Sequence, residues 1–584
     1  MDFKGYDGSA VKFEQKSIHR NHLYEGRHKM QKKIITALAG FCLALCGISG
    51  TVFGQSDTLD VPVDYAAGNI GSLNKFIADD IADNGVPEGR VYRLKRGEIY
   101  LLSGTIKIED FTLRLYGEEG PPETQPAAVA GFKADGTGIW QFFTTKRDIE
   151  FKNIYFKGAT AQDALTGECV RFLTPDLRLT VDNCIIDSFH FVAFHFFKVP
   201  GGSAFITNSI FRNLNHVTGG LYNGRAVRFF QKGADSVVVV NNTMANSNSF
   251  FVDMSRLQIA NYANIDHNTI VSTVKYPLHW HYQTDARYTN NLFYNASAYG
   301  ETVLDAASQD PDGLVYGLVS VDTLGSPDLG AEADRNFLIS NNAWSYGEKV
   351  KAYWNARDTV NAMPWMNSRT EAMFANDTDW PGLVAENNIN SAVNFTLFPD
   401  RTDAMLAYME GVRDNTPVAD PNWGYYPSGI IFKIDWPLKD VEDLSYATTD
   451  PAYTAGTGGF PIGDLNWFPA KKAEWEGTLS SVGYSGGRAI PTDFELDQNY
   501  PNPFNPQTTI SYKLNKAAQV KVIIYNMLGQ VVHTLVDAKQ SAGTHSVIWN
   551  SRDSRGQQVT SGVYFYKLET ADGISLTQKM VLMK

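Results

Sequence analysis

One short phrase recurs through the middle of the chain and limits what it can fold into. Phe151-Lys152-Asn153-Ile154-Tyr155-Phe156 reads as strand, asparagine, strand. It returns as Val181-Asp182-Asn183-Cys184-Ile185-Ile186, Ile206-Thr207-Asn208-Ser209-Ile210-Phe211 and Val240-Asn241-Asn242-Thr243-Met244. It continues as Ile265-Asp266-His267-Asn268-Thr269-Ile270, Tyr288-Thr289-Asn290-Asn291-Leu292-Phe293 and Ile339-Ser340-Asn341-Asn342-Ala343-Trp344. Up to Asn291 the bends lie 23 to 34 residues apart, the length of one coil in a solenoid of stacked repeats. Asparagine tolerates the left-handed backbone of a tight bend. Stacked coils also let asparagine amides bond to one another, while Ile, Val and Phe facing inward merge into one core. The alternative is a β-sandwich with Asn-rich turns, and the scarcity of hairpin dipeptides in this stretch weighs against it. The spacing predicts a parallel β-helix.

The flanks fit that architecture. Gly71 to Asn84 reads as an amphipathic helix, with Leu73, Phe76, Ile77 and Ile81 on one face and Ser72 as its cap. A helix over the first coil protects the open end of a solenoid. Short alternating strands follow at Val91–Leu94, Ile99–Leu102, Ile106–Ile108 and Leu113–Leu115. Beyond about residue 300 the repeat weakens. Arg401 to Asp414 reads as a helix, and Trp344, Trp354, Trp365, Trp380, Trp423, Trp436, Trp467 and Trp475 are spread through the segment. These are late coils with long insertions, their tryptophans serving as core and loop anchors or as sugar-stacking surfaces. The solenoid is assigned to residues 55–485. Residues 490–584 form a second domain, entered through Asn499-Tyr500-Pro501-Asn502-Pro503-Phe504-Asn505-Pro506 and built of strand-like runs from Thr508–Leu514 to Ser575–Leu582. Its pattern is that of a small Ig-like β-sandwich. The fold class is all-β.

Near the start, Met30-Gln31-Lys32-Lys33 precedes an apolar run from Ile34 to Gly47, and Val52-Phe53-Gly54 supplies a small-residue cleavage site. This reads as a secretory signal peptide over 30–54, too short for a membrane span. Residues 1–29 then read as an extension ahead of the true start, and the mature chain is expected to hold no transmembrane helix. Cleavage leaves Cys169 and Cys184, whose oxidising destination permits a disulfide as readily as two buried thiols. No cysteine or histidine spacing reads as zinc. The formal net charge of −12 and pI near 5.4 argue against nucleic acid or an anionic membrane as the main partner. They leave room for an anionic polysaccharide, because a local basic column can sit on an acidic protein.

Two resemblances follow. Ile524-Tyr525-Asn526-Met527-Leu528-Gly529-Gln530-Val531-Val532, Ala542-Gly543-Thr544-His545, Trp549-Asn550, Ser561-Gly562-Val563-Tyr564-Phe565-Tyr566-Lys567-Leu568 and the terminal Lys579-Met580-Val581-Leu582-Met583-Lys584, together with the Asn499–Pro506 run, resemble the C-terminal sorting domain of the type IX secretion system. That implies passage across the outer membrane through this machinery, with release or attachment at the cell surface. The Asn-bend repeats resemble the pectate-lyase-like right-handed parallel β-helix superfamily, particularly its chondroitinase/alginate-lyase-like secreted members. Gly458-Gly459-Phe460-Pro461-Ile462-Gly463-Asp464-Leu465-Asn466-Trp467 looks like the sequence that closes such domains. The superfamily holds lyases, hydrolases, epimerases and adhesins, so the resemblance implies fold more than reaction. A monomer is expected.

A candidate chemical face comes from aligning the coils. Asp253 lies 11 residues after Asn242, His279 lies 11 after Asn268, and His195 lies 12 after Asn183. Arg171 and Arg228 follow Asn153 and Asn208 by 18 and 20 residues, as coils with longer loops would require. Each is flanked by apolar residues, and side chains alternate along a strand. Arg171, His195, Arg228, Asp253 and His279 are therefore expected to project outward in one column, with His281 on the face of His279. Lys198, Lys232 and Trp280 are nearby candidates for substrate contact. β-Elimination on a uronate chain needs a cation beside the carboxylate, a base for the α-proton and an acid for the leaving oxygen. Arg171 and Arg228 would bind carboxylate, and His279 or His195 would act as base or acid. Asp253 would orient a histidine or bind calcium. The Lys/Arg pair and Asn–Glu–Glu calcium set of chondroitinase-type lyases are not found, nor the clustered aspartates of a polygalacturonase-type hydrolase. A glycan-binding or structural surface protein without catalysis is the competing expectation.

Overall fold

The computed structural model describes residues 58–582 apart from short interruptions, the longest being 301–315, most of 417–441, and 482–494. The expected signal peptide and leading extension lie outside the described residues. No described helix is long and apolar enough to cross a membrane.

Three all-parallel sheets, of eleven, ten and seven strands among the described residues, run along the body and define a parallel β-helix. One coil shows the path. Arg178–Asp182 lies in the eleven-stranded sheet, Ile185–Asp187 in the ten-stranded sheet and Phe189–Phe197 in the seven-stranded sheet, and Gly202–Thr207 opens the next coil. The first bend is left-handed in each repeat: Asn153, Asn183, Asn208, Asn241, His267, Asn290 and Asn341 have φ between 51° and 58°. Ser188, Asn213, Asn246, Ser272 and Asn295 take the same conformation at the second bend. Asparagine dominates the first corner, and asparagine and serine share the second, because a short polar side chain lowers the cost of positive φ.

The residue after the first bend turns inward and joins the coils. The Asn242 side-chain amide donates to Asn268 Oδ1 at 3.1 Å, Asn268 to Asn291 at 2.9 Å, Asn291 to Asn342 at 2.9 Å and Asn342 to Asn388 at 2.8 Å. The same oxygens also accept the backbone N–H of the preceding coil's asparagine. Ser209 and Cys184 extend the stack upstream by backbone-to-side-chain bonds. On the seven-stranded sheet runs an inward aromatic stack, Phe172 on Phe196 on Phe229, with centroids 4.2 and 4.5 Å apart. Cys169 and Cys184 are both free thiols in the interior. Burial pushes Cys184 up to about 12, so it is inert.

The helix Ser72–Asn84 covers the first coil, with Leu73 and Ile77 buried. Ser72 is not its cap: Gly71 holds that position, and the Ser72 hydroxyl donates to Val63 O while accepting from Ala66 N–H. At the far end, Asn336–Ser340 with Ala343–Ser345, and Leu383–Glu386 with Ile389–Asn390, extend the two larger sheets. Three helices, Glu348–Asn355, Ser368–Phe374 and Thr402–Arg413, fill the insertions. The tryptophans here are mostly anchors: Trp354 donates to Ala298 O, Trp423 to Asn248, and Trp344 stacks on Trp365. The glycine-rich segment before Trp467 does not cap an end. It is a strap lying along the asparagine corner, where Gly463 N–H donates to Asn290 O, Asp464 N–H to Thr269 and the Asn466 amide to Asn241 O.

The C-terminal domain is a sandwich of a three-stranded and a four-stranded antiparallel sheet. Ile510, Tyr512, Val520, Val522, Trp549, Tyr566 and Met580 form its own core.

Asn291→Ala removes a link with partners on both sides. It is expected to destabilise the β-helix by about 3 kcal/mol, because several buried polar groups are orphaned at once. Equilibrium denaturation against the exposed-site variant Glu119→Ala measures this, and equal midpoints would show that the ladder adds nothing.

Candidate functional site

The seven-stranded sheet presents its outer face to the site. In it Arg171 pairs in register with His195, His195 with Arg228, Arg228 with Asp253 and Asp253 with His279. The five residues thus occupy one row across five coils. The row continues through Thr144 to the exposed Lys107.

Two carboxylates that sequence reasoning missed or underweighted organise this row. Glu168 is fully buried. Arg171 donates to it twice, at 2.7 and 2.6 Å, and His195 Nδ1 lies 2.8 Å from its Oε1. Asp253 is 3% exposed and has His279 Nδ1 at 2.7 Å from Oδ1. Its other oxygen lies 2.6 Å from Arg225 Nε and 3.0 Å from Arg228 Nε. Arginines 171 and 228 therefore do not stand free to receive a substrate carboxylate, as expected from sequence; both are already paired. Three guanidiniums face two carboxylates, so one positive charge stays uncompensated. Glu168 and Arg225 escaped the alternation argument because each stands three residues before an outward arginine, a spacing that places it inward. The strands bend there: Cys169 and Val170, and likewise Ala226 and Val227, both face the core. The bend resets the alternation and frees Glu168 and Arg225 for the outer face. The only sequence signal is a charged residue three positions before each arginine.

The electrostatics separate the two histidines. Burial pushes the His195 imidazole down, outweighing the lift from Glu168. It is neutral at pH 7, donates Nδ1–H to Glu168, and its Nε2 is buried with no hydrogen-bond partner. Burial opposes ionisation of Glu168, but the bonds from His195 and Arg171 prevail and hold it below its usual value. Asp253 is likewise held well below the carboxylate range: burial is outweighed by Arg225, His279 and Arg228. Burial lowers Arg225 to about 10. His279 keeps an edge in solvent, with 15% of its side chain exposed. Its ring stacks on Phe250 at 4.5 Å and meets Tyr276, Tyr316 and His281 edge-on.

Other candidates fall unevenly. His281 lies just past the last strand, its ring stacked on Tyr316 at 4.8 Å. Lys198 and Lys232 are exposed beyond strand ends, with the Lys198 ammonium 5.4 Å from the Phe197 ring. Trp280 must be corrected: alternation turns it inward, where it is 1% exposed and stacks on Tyr288, so it cannot touch substrate. His195 and His279 are three strand spacings apart, about 14 Å, so they cannot serve one glycosidic bond together. Asp253 does not fit the calcium role either, because Arg225, Arg228 and His279 take up its oxygens. Among the described residues no group of three or more His, Cys, Asp or Glu is placed to hold a metal.

The histidine shift has a sign that experiment reads directly. The folded pKa of His195 lies below its unfolded value near 6.5, so the unfolded chain takes up the proton first. Stability is full above that value and falls as pH drops through it toward the folded pKa. The midpoint of thermal unfolding should decline between about pH 7 and 5, and His195→Asn should flatten that decline. An unchanged slope would remove His195 as its cause.

Comparison with known proteins bears on the C-terminal domain. Residues 502–573 match the family model of the FlgD Ig-like domain. No curated protein matches the chain. Among solved structures, PorZ of Porphyromonas gingivalis, described as an essential bacterial surface component of the type-IX secretion system, is 24% identical with a TM-score of 0.12. The match covers 15% of this chain and 11% of PorZ. FlgD from P. aeruginosa is 25% identical with a TM-score of 0.12, over 16% of this chain and 70% of FlgD. The family match identifies the last domain as similar to the Ig-like domain of FlgD.

Proposed function

We propose that the β-helix binds a uronate-containing polysaccharide along the outer face of its seven-stranded sheet and cleaves it by β-elimination. One observation carries this reading: His279, anchored through Nδ1 to buried Asp253, reaches solvent beside two guanidiniums that only one carboxylate neutralises. With Nδ1–H given to Asp253, Nε2 is the basic nitrogen. It takes the proton α to the uronate carboxylate. The C–H electron pair becomes the new double bond, the glycosidic C–O bond breaks, and its electrons leave with the oxygen. The excess charge of Arg225 and Arg228 lowers the energy of the carboxylate-stabilised anion. His281, beside the His279 ring, supplies the proton to the leaving oxygen. Glu168 and His195 form a second, deeper pair that fixes Arg171.

A second reading is glycan binding without chemistry. It is favoured by the saturation of Arg171, Arg225 and Arg228 with protein carboxylates, which suits a rigid charged surface. For the C-terminal domain we propose a role as sorting signal for type IX secretion, which puts the mature protein at the cell surface or outside the cell. The Ig-like sandwich and the Asn499–Pro506 and Lys579–Lys584 motifs support it.

Incubating the protein with polygalacturonate, alginate and chondroitin, while following ultraviolet absorbance of unsaturated product, tests the reaction. The expected result is product formation that His279→Ala lowers by at least about a hundredfold, the scale of a lost general base. Binding without product from any of the three would favour the second reading.

A further inference from the structure

One aromatic on this face lies outside every role assigned so far. Trp140, just before the strand Gln141–Thr145, is 50% exposed. Its position is built rather than incidental. The indole lies against Gly167, where a Cβ would come within 2.9 Å of two ring carbons, so only glycine leaves room for it. His190 meets it edge-on at 5.4 Å and Phe191 lies tilted at 5.8 Å. Beneath the surface Phe191 leads on to the buried Arg225, whose guanidinium lies 5.9 Å from that ring and 5.8 Å from the buried Phe250, and Phe250 stacks on His279. An aromatic and cationic track thus connects Trp140 with His279. It spans five strand spacings, about 24 Å, the length of a short oligosaccharide.

We propose that Trp140, seated on Gly167, is a sugar-stacking platform for a pyranose ring of the polysaccharide, far from the bond being cleaved. A fixed indole with one open face suits the apolar C–H face of a pyranose. Polar groups near it in the chain suit the sugar's edge: His190, which meets the indole, and Gln141, the next residue, whose amide is 3.3 Å from Glu168. Fixing the ring in advance lowers the entropy cost of binding. The platform rests on the polysaccharide reading and adds a site that engages long chains but not short ones.

The test uses the full chain with polygalacturonate, alginate and chondroitin as probes, each as polymer and as disaccharide. Tryptophan emission is compared between wild type and Trp140→Phe, and binding among wild type, Trp140→Ala and Gly167→Val. Wild type should show a blue shift on adding the polymer that binds, absent in Trp140→Phe. Trp140→Ala and Gly167→Val should weaken polymer binding on the order of tenfold, leaving disaccharide binding unchanged. Polymer binding equal in all variants would overturn the platform while leaving the polysaccharide reading intact. A polymer that binds with the blue shift but yields no product would sustain the platform and sink the lyase step. No binding of any probe by wild type would overturn both.

Discussion

The stacking of coils through the asparagine corner is the constraint on which the rest depends. Each amide from Asn242 to Asn342 both donates to the next coil and accepts from the preceding one, and Asn388 accepts the last of these bonds. This fixes the register between coils, because a shift by one residue would break every link at once and turn core side chains outward. A fixed register is what brings residues far apart in sequence, such as Arg171 and His279, into one row. The corner thus orders the candidate face although it lies at a different edge of the coil.

The face itself rests on buried charge. Glu168 and Asp253 are almost without solvent and persist as anions because arginine and histidine surround them. Removing one partner of such a group leaves an uncompensated charge in a poorly solvated place. The histidines gain orientation from the same arrangement. A carboxylate on Nδ1 fixes both the tautomer and the ring plane, leaving the lone pair on Nε2. His195 and His279 share this design and differ in access, since aromatic rings wall in His195 while His279 meets solvent.

Much of this was legible before any coordinates. The asparagine spacing gave the coils, and counting from each bend to the next outward position gave the row from Arg171 to His279, because one coil returns the chain to the same face. What resisted was local. Glu168 and Arg225 stand just before bends that interrupt the two-residue alternation, and nothing in composition marks those bends. Trp280 failed for the opposite reason: a tryptophan between two histidines looks like a binding residue, yet strict alternation sends it to the core. The strap before Trp467 was visible as a motif, but its course back over the asparagine corner depends on contacts more than 160 residues away in sequence, such as Thr457 to Asn290. Ser72 could not be told from a helix cap because it sits one residue inside the start.

The protonation of the histidines tests the account most directly. Nitrogen-15 NMR of the imidazoles distinguishes the Nδ1–H from the Nε2–H tautomer. In their neutral form, His279 and His195 should both carry the proton on Nδ1, bonded to Asp253 and Glu168, with the lone pair on Nε2. The Nε2–H tautomer at His279 would contradict the account, since the nitrogen facing substrate would then have no lone pair with which to act as a base.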